Sequence, residues 1–165
     1  MGGGPRRGGR AAAPSPVPYD DPAMADGWEG LRGLRPGPQG LESAARAIRA
    51  ASPRHTGVYL YALEGEELAL RAFSGRPTEH TRIRVADGVC GRAVASGEDQ
   101  VVEDVGADPD YISCSLATRS ECVVLVRRDG RVVGEIDVDS DAPGPFPDTS
   151  LRELRVAADL IAHLF

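Results

Sequence analysis

The sequence places three carboxylates at alternate positions of one short segment, residues 135–139, which read Glu-Ile-Asp-Val-Asp. Successive side chains of an extended strand point to opposite faces, so Glu135, Asp137 and Asp139 share one face. That face is either a solvated polar surface or the wall of a pocket, where desolvation and repulsion require a cationic ligand, a metal or protonation of one acid. An ammonium group is the simplest match, and a protonated acid could also donate a proton in a reaction. Glu121, at the start of a predicted neighbouring strand, supplies a fourth candidate acid.

The three cysteines of the chain differ in their predicted surroundings. Cys114 lies in a predicted long loop, where it is either an exposed nucleophile or an incidental small residue. Cys90 follows the start of a predicted short helix, where the amide dipoles favour a thiolate, although a buried helix cysteine is the commoner case. Cys122 alternates with Glu121 and is predicted to point into the core. No Cys-x-x-Cys pair or paired histidines occur in the sequence, so we predict no structural zinc site.

Length and composition limit the classes of protein to which the chain can belong. Its 165 residues suffice for one ordinary domain and a tail. A net charge of -6 argues against a nucleic-acid partner, and the absence of lysine excludes Schiff-base and P-loop lysine chemistry. No apolar run is long enough for a membrane span. An odd number of cysteines without a credible secretion signal predicts free thiols and a cytoplasmic protein.

The predicted elements start after a tail. Residues 1–40 hold 10 of the 20 glycines and 7 of the 13 prolines, so we expect residues 1–38 to be disordered, with at most a weak local structure around Trp28 and Leu31, and residues 39–165 to form the domain. A short helix is predicted to end near Ala51, before Pro53, and a second near 88–95. Alternating or β-branched runs predict six strands, at residues 57–63, 67–73, 81–85, 100–105, 122–127 and 131–139. In the last strand Val132, Gly134, Ile136 and Val138 are predicted to face away from the acids.

Two local patterns concern the end of the chain. Asp129-Gly130 predicts a type I′ hairpin between the last two strands. Ser150 and Glu153 have the spacing of a capping box at the start of a final helix. The apolar stripe of that helix, which comprises Leu151, Leu154, Ala158, Ile161 and Phe165, either packs on the sheet or forms a helical seam of a homodimer.

Four segments carry a family resemblance: Gly88-Val89-Cys90-Gly91, Ile112-Ser113-Cys114, Ser120-Glu121 and Ile136-Asp137-Val138-Asp139-Ser140. In this order and spacing they resemble free methionine-(R)-sulfoxide reductases of the GAF-domain class, over roughly residues 41–165. The resemblance implies an α+β fold with a single GAF-like domain. Its central antiparallel sheet of about six strands would carry the N- and C-terminal helices on one face and a loop-covered pocket on the other.

The resemblance also implies a role for each matching residue. Cys114 would attack the sulfur of free methionine sulfoxide, Cys90 would resolve the resulting sulfenic acid, and a thioredoxin-type reductant would reduce the disulfide. Glu121, Asp137 and Asp139 match pocket acids that hold the substrate ammonium group and help to protonate the departing oxygen. Tyr59 matches an aromatic of the pocket wall, His55 stands at the position of a pocket tryptophan, and His80 at that of a third redox cysteine. The reaction requires no cofactor.

Two other functions compete with this one. A non-catalytic GAF module would bind a small molecule and signal through a dimer helix. The Asn-Lys-Phe-Asp-Glu motif of cyclic-nucleotide GAF domains is absent, and Cys114 lacks the following histidine of bilin-attachment sites. A purely structural dimerisation module would account for the end helices but not for the acids or the loop cysteine.

Overall fold

Six strands form one antiparallel sheet in a computed structural model that describes residues 28–109, 111–112, 115–144 and 146–165. In chain order they are β1 Gly57–Glu64, β2 Glu67–Ser74, β3 Arg82–Arg84, β4 Gln100–Val102, β5 Ser120–Arg128 and β6 Arg131–Ser140. Their spatial order is β3-β2-β1-β6-β5-β4, so β1 and β6, the first and last strands in the sequence, are neighbours in the centre of the sheet. The predicted α+β fold with a six-stranded antiparallel sheet is confirmed, although β4 ends three residues earlier than predicted.

Helices cover both faces of this sheet. They are α1 Glu29–Arg32, α2 Pro38–Ala50, α3 Gly88–Ser96 and α4 Asp148–Ile161, with 3-10 turns at Val105–Ala107 and Ala162–Leu164. Pro38 is the first residue of α2. The first N–H groups of a helix have no hydrogen-bond partner within the helix, so the lack of an N–H group in proline costs no hydrogen bond there. None of the described helices is both long and apolar enough to cross a membrane.

Each face of the sheet has its own apolar cluster. On the helix face, side chains of α1, α2 and α4 pack against alternate residues of the central strands, such as Val58, Val124 and Ile136. On the opposite face, α3 packs Val89, Cys90 and Ala93 against residues of β1, β2, β3 and β5. The predicted packing of the N- and C-terminal helices on one face is confirmed.

The hairpin between β5 and β6 follows its local sequence. Asp129 and Gly130 both have positive φ angles, 52° and 76°, as a type I′ turn requires. A bulge then shifts the register, because Val126 pairs with Gly134 whereas Arg127 pairs with Val132. The extra residue reverses the alternation of side chains. Val132 therefore packs with the α3 cluster, and the prediction that it shares a face with Ile136 is wrong.

The apolar stripe of α4 packs on the sheet of its own chain. Leu154, Ala158 and Ile161 are at most 1% exposed, so they are not available for a seam between two chains. The helix begins at Asp148 after Pro147, and no side chain caps it. Ser150 lies within the first turn, so the predicted capping box is wrong. Asp148 provides the negative charge that favours a helix start instead.

The folded part of the chain begins before the predicted boundary at residue 39. Trp28 and Leu31 are 5% and 1% exposed and belong to the helix-face cluster. The prediction of a disordered tail is therefore wrong for residues 28–38, because two large apolar side chains among the glycines and prolines find a tertiary partner in α4. Residues 1–27 of the predicted tail lie outside the described residues.

Candidate functional site

Four carboxylates lie on the face of the sheet opposite α1, α2 and α4, which we call the acid face. Glu135, Asp137 and Asp139 alternate along β6, and Glu121 pairs with Asp139 across β5. All four are buried, with exposures of 0%, 0%, 1% and 3% in that order. The interpretation of the row as a solvated surface is therefore wrong, because α3 and the loops around it cover this face.

Two glycines let α3 pack closely against the segment after β3 and against Ile112. A Cβ on Gly91 would lie 2.4 Å from the carbonyl oxygen of Arg84, so no other residue fits there without a shift. Gly88 has a φ of 61°, in the left-handed region that favours glycine. These glycines enclose Val89 and Cys90, so the motif positions the Cys90 side chain over the acids.

The thiol of Cys90 lies among three of the acids. Its Sγ atom is 3.9 Å from Oε1 of Glu121. The Sγ atom of Cys90 and one carboxylate oxygen from each of Glu121 and Asp137 lie within 4.8 Å of one another. Cys90 also interacts with the Glu135 carboxyl group and in part lowers its pKa. The sequence-predicted residues Cys90, Glu121 and Asp137, from three different elements, are thus brought together.

Burial raises the pKa of every acid in this row. It raises the pKa of Glu135 from 4.5 to about 7 and the pKa of Asp139 from 3.8 to about 6. The pKa values of Glu121 and Asp137 lie well above their ordinary values, because burial and then the charges of neighbouring acids disfavour ionisation. The acid face therefore retains protons near neutral pH unless a cation takes their place.

Two arginines near the acid face pair with other acids. Arg92 pairs with Asp108, although its charge still lowers the pKa of Glu121 in part. Arg76 pairs with Asp141 at the end of β6. Within the described ranges, no arginine forms an ion pair with Glu121, Glu135 or Asp139.

Hydrogen bonds satisfy the acids only in part. The hydroxyl of Thr118 donates to Oδ2 of Asp139 over 2.9 Å, which partly offsets the rise in the pKa of that acid. The other oxygen of Asp139 accepts no hydrogen bond from a described residue, and the oxygens of Glu135 accept none apart from the interaction with the Cys90 thiol. A buried carboxyl group without donors is costly, so the acid face is suited to a ligand that supplies N–H groups or positive charge.

Two tyrosines line the acid face beside β6. Tyr59 pairs with Asp137 and Tyr61 with Glu135 in the register of β1 and β6. Both rings are fully buried, and their hydroxyls donate to the carbonyl oxygens of Arg76 and His80. Tyr59 is thus close to the acids, as the resemblance implied. Tyr61 and Thr118 were not predicted from the sequence as site residues. Tyr61 lies two residues after Tyr59 on the same strand, and this spacing could have placed it on the same face.

The loop before β5 contacts α3 and the acid face. The side chain of Ile112 lies so close to Gly88 that a Cβ there would be 3.2 Å from it. Tyr111 packs against the α3 cluster. Thr118 reaches Asp139 from the other end of the loop. Cys114, the predicted nucleophile, lies outside the described residues.

His55 and Cys122 lie away from the acids. Nδ1 of His55 is 2.7 Å from the carbonyl oxygen of Ile48, and the ring packs near Phe146, so both neighbours belong to the helix-face cluster. Desolvation lowers the pKa of His55, which favours the neutral ring. The assignment of His55 to the pocket wall is therefore wrong, because the chain turns onto the other face before β1. Cys122 is buried on the helix face as predicted, and burial raises its pKa.

Comparisons with known proteins agree with this geometry. The sequence model of the GAF domain family matches residues 40–164. Protein YtsP of Bacillus subtilis (strain 168) is 37% identical over 105 residues, which are 64% of this chain and 64% of that protein. Free methionine-R-sulfoxide reductase of Escherichia coli (strain K12) is 38% identical over 104 residues, 63% of this chain and 61% of that protein.

A solved structure shows the same similarity in three dimensions. It is free methionine-R-sulfoxide reductase from Neisseria meningitidis in complex with its substrate, with a TM-score of 0.76 and 33% sequence identity. The match covers 84% of this chain and 83% of that one. By contrast, the chain matches less than two thirds of the length of the two curated relatives, 64% and 61%.

Proposed function

This chain belongs to the GAF domain family, and we propose that it is a thiol-dependent reductase of free L-methionine (R)-S-oxide. One observation carries the proposal: a buried row of carboxylates lies against the thiol of Cys90. The names of the relatives from E. coli and N. meningitidis support the choice of substrate.

The acid face suits the ammonium group of a free amino acid. An ammonium group offers three N–H donors and one positive charge, and Asp139 has a buried oxygen to which no described residue donates. We assign ammonium binding to Asp137 and Asp139, with Glu121 beside them. The buried ring of Tyr59 next to Asp137 supplies an apolar wall for the side chain of the substrate.

The proposed reaction transfers one oxygen atom from the substrate to sulfur. The Cys114 thiolate attacks the sulfoxide sulfur while the sulfoxide oxygen is protonated, which forms a transient S–S bond. The oxygen is then transferred to the Cys114 sulfur as the substrate S–O bond and the transient S–S bond break, so methionine leaves and Cys114 becomes a sulfenic acid. The Cys90 thiol then attacks that sulfenic acid, which gives a Cys90–Cys114 disulfide and one molecule of water. A dithiol reductant of the thioredoxin type accepts the disulfide by thiol exchange and restores both thiols.

The raised pKa of Glu121 suits it to be the proton donor. Sulfoxide reduction requires protonation of the departing oxygen, and an acid that remains protonated near pH 7 can supply that proton. Burial first and then the charge of Asp139 raise the pKa of Glu121. The Cys122 thiol, which forms no disulfide, also suits the reducing environment of the cytoplasm, in which thioredoxin-type reductants act.

The test is a coupled assay with NADPH, thioredoxin reductase, thioredoxin and each epimer of free methionine sulfoxide supplied separately. We expect turnover with the R epimer only. Cys114→Ser should abolish turnover, whereas Cys90→Ser should release about one equivalent of methionine and then stop, because the sulfenic acid lacks its resolving thiol. The matched control is Cys122→Ala, which removes a thiol from the helix face and should retain turnover.

Two outcomes would contradict the proposal. Multiple turnovers by Cys114→Ser would exclude the proposed nucleophile. Absence of turnover in folded, fully reduced wild-type protein would exclude the enzyme and favour the small-molecule sensor, which binding of free methionine sulfoxide without reduction would then support.

A further inference from the structure

We infer that the acid face is also a binding site for a thiophilic divalent cation of the Zn²⁺ class, with Cys90, Glu121 and Asp137 as its ligands. These residues come from α3, β5 and β6 and are all buried. Their donor atoms are one sulfur and two carboxylate oxygens, a set that Zn²⁺ accepts.

The distances are close to those of a zinc site. Tetrahedral ligands at the usual Zn–S and Zn–O lengths place sulfur and oxygen about 3.6 Å apart. Sγ of Cys90 and Oε1 of Glu121 are 3.9 Å apart, and the three ligand atoms all lie within 4.8 Å of one another. Binding therefore requires a contraction of at most about 1.4 Å, within the range of side-chain rotation.

A second observation points to a cation at the same place. Glu135 is fully buried, and apart from the weakly donating Cys90 thiol no described residue donates a hydrogen bond to its carboxyl oxygens. It lies two residues from Asp137 on the same strand face and interacts with the Cys90 thiol. Its oxygens are thus available as a further ligand or as acceptors for a water on the metal.

The donor set also selects among cations. The thiolate of Cys90 favours Zn²⁺, Cd²⁺ or Co²⁺, whereas Mg²⁺ and Ca²⁺ prefer sites made entirely of oxygen. A monovalent ammonium group neutralises only one of the buried charges, whereas a divalent cation neutralises two. A thiophilic metal therefore competes for the surface that binds the substrate.

Inhibition is the expected consequence, and this part of the inference rests on the proposed function. A metal on Cys90 prevents that thiol from attacking the Cys114 sulfenic acid, and a metal on Asp137 displaces the substrate ammonium group. Zn²⁺ should therefore inhibit the reductase, and a chelator should restore it.

The test measures metal binding by itself, on the reduced full-length protein freed of metal. Zn²⁺ is titrated against a chromogenic chelator, and Co²⁺ is titrated while the thiolate-to-cobalt charge-transfer absorption is recorded. We expect one equivalent of each metal and the charge-transfer band. We also expect Zn²⁺, but not Mg²⁺, to protect Cys90 from iodoacetamide, as measured by peptide mass spectrometry.

Variants then identify the ligands. Glu121→Gln and Asp137→Asn should each weaken Zn²⁺ binding about 100-fold, because loss of an outer-shell partner alone costs about 10- to 100-fold. Cys90→Ser should abolish the charge-transfer band. The matched controls are Glu103→Gln, at an exposed acid, and Cys122→Ala, on the helix face. Circular dichroism identifies variants that fail to fold.

The metal and reductase proposals fail in different ways. Equal Zn²⁺ affinity in wild type, Glu121→Gln and Asp137→Asn, or alkylation of Cys90 at the same rate with and without Zn²⁺, would overturn the metal site whatever the activity. Wild-type protein that binds one Zn²⁺ but does not reduce methionine sulfoxide would retain the site and overturn only the proposed function.

Discussion

The substitution Glu135→Gln isolates the energetic cost of one buried acid. Glu135 is fully buried on β6, and apart from the Cys90 thiol no described residue donates a hydrogen bond to its oxygens. Glutamine has nearly the same volume and carries no charge. The substitution therefore removes the ionisation of this side chain while it leaves the packing against the α3 cluster in place.

The magnitude follows from the pKa of the folded state. Burial raises the pKa of Glu135 from 4.5 to about 7. Between these values the folded state binds more protons than the unfolded state, so the free energy of unfolding falls as the pH rises. The difference of about 2.5 pH units, at about 1.36 kcal/mol each, corresponds to a loss of about 3 kcal/mol. The loss begins near pH 4.5 and is complete above about pH 7.

The assay is urea denaturation of wild type and Glu135→Gln at several pH values from about 4 to 9, a range chosen to span both pKa values. We expect the stability of the variant relative to wild type to increase by about 3 kcal/mol across this range. The matched control is Glu103→Gln, at an exposed side chain, for which the difference should not change with pH. A constant difference between wild type and Glu135→Gln would refute the reasoning that burial raises this pKa.

Three further substitutions test the packing and hydrogen bonding around the site. Trp28→Ala should destabilise the protein by about 3 to 5 kcal/mol, the usual cost for a buried tryptophan, in thermal denaturation; a negligible change would show that α1 does not stabilise the fold. Gly91→Ala should cost about 1 to 3 kcal/mol, because the added methyl overlaps the Arg84 carbonyl; denaturation equal to wild type would contradict that approach. Thr118→Ala should raise the pKa of Asp139 above about 6, because the Thr118 hydroxyl favours the ionised carboxylate. The pKa of Asp139 is measured by ¹³C NMR titration, and an unchanged midpoint would exclude that hydrogen bond.

Short-range patterns determined much of this protein from the sequence alone. Alternation along a strand is a property of the backbone, so it correctly placed Glu135, Asp137 and Asp139 on one face before any partner was known. The Asp129-Gly130 turn likewise depends on two local φ angles. The family resemblance added the expectation that Cys90 belongs with the acids.

Only the tertiary structure decided which faces are covered and by what. The sequence left the acid row either solvated or buried, because the answer depends on α3, which packs on β6 from more than thirty residues away. It assigned His55 to the pocket, but the turn before β1 directs the ring to the helix face. Residue spacing predicted no structural zinc site and could not show that atoms of Cys90, Glu121 and Asp137 lie within 4.8 Å of one another, because they meet only when three elements pack together. Side-chain periodicity is local, whereas burial and ligand geometry are made by long-range contacts.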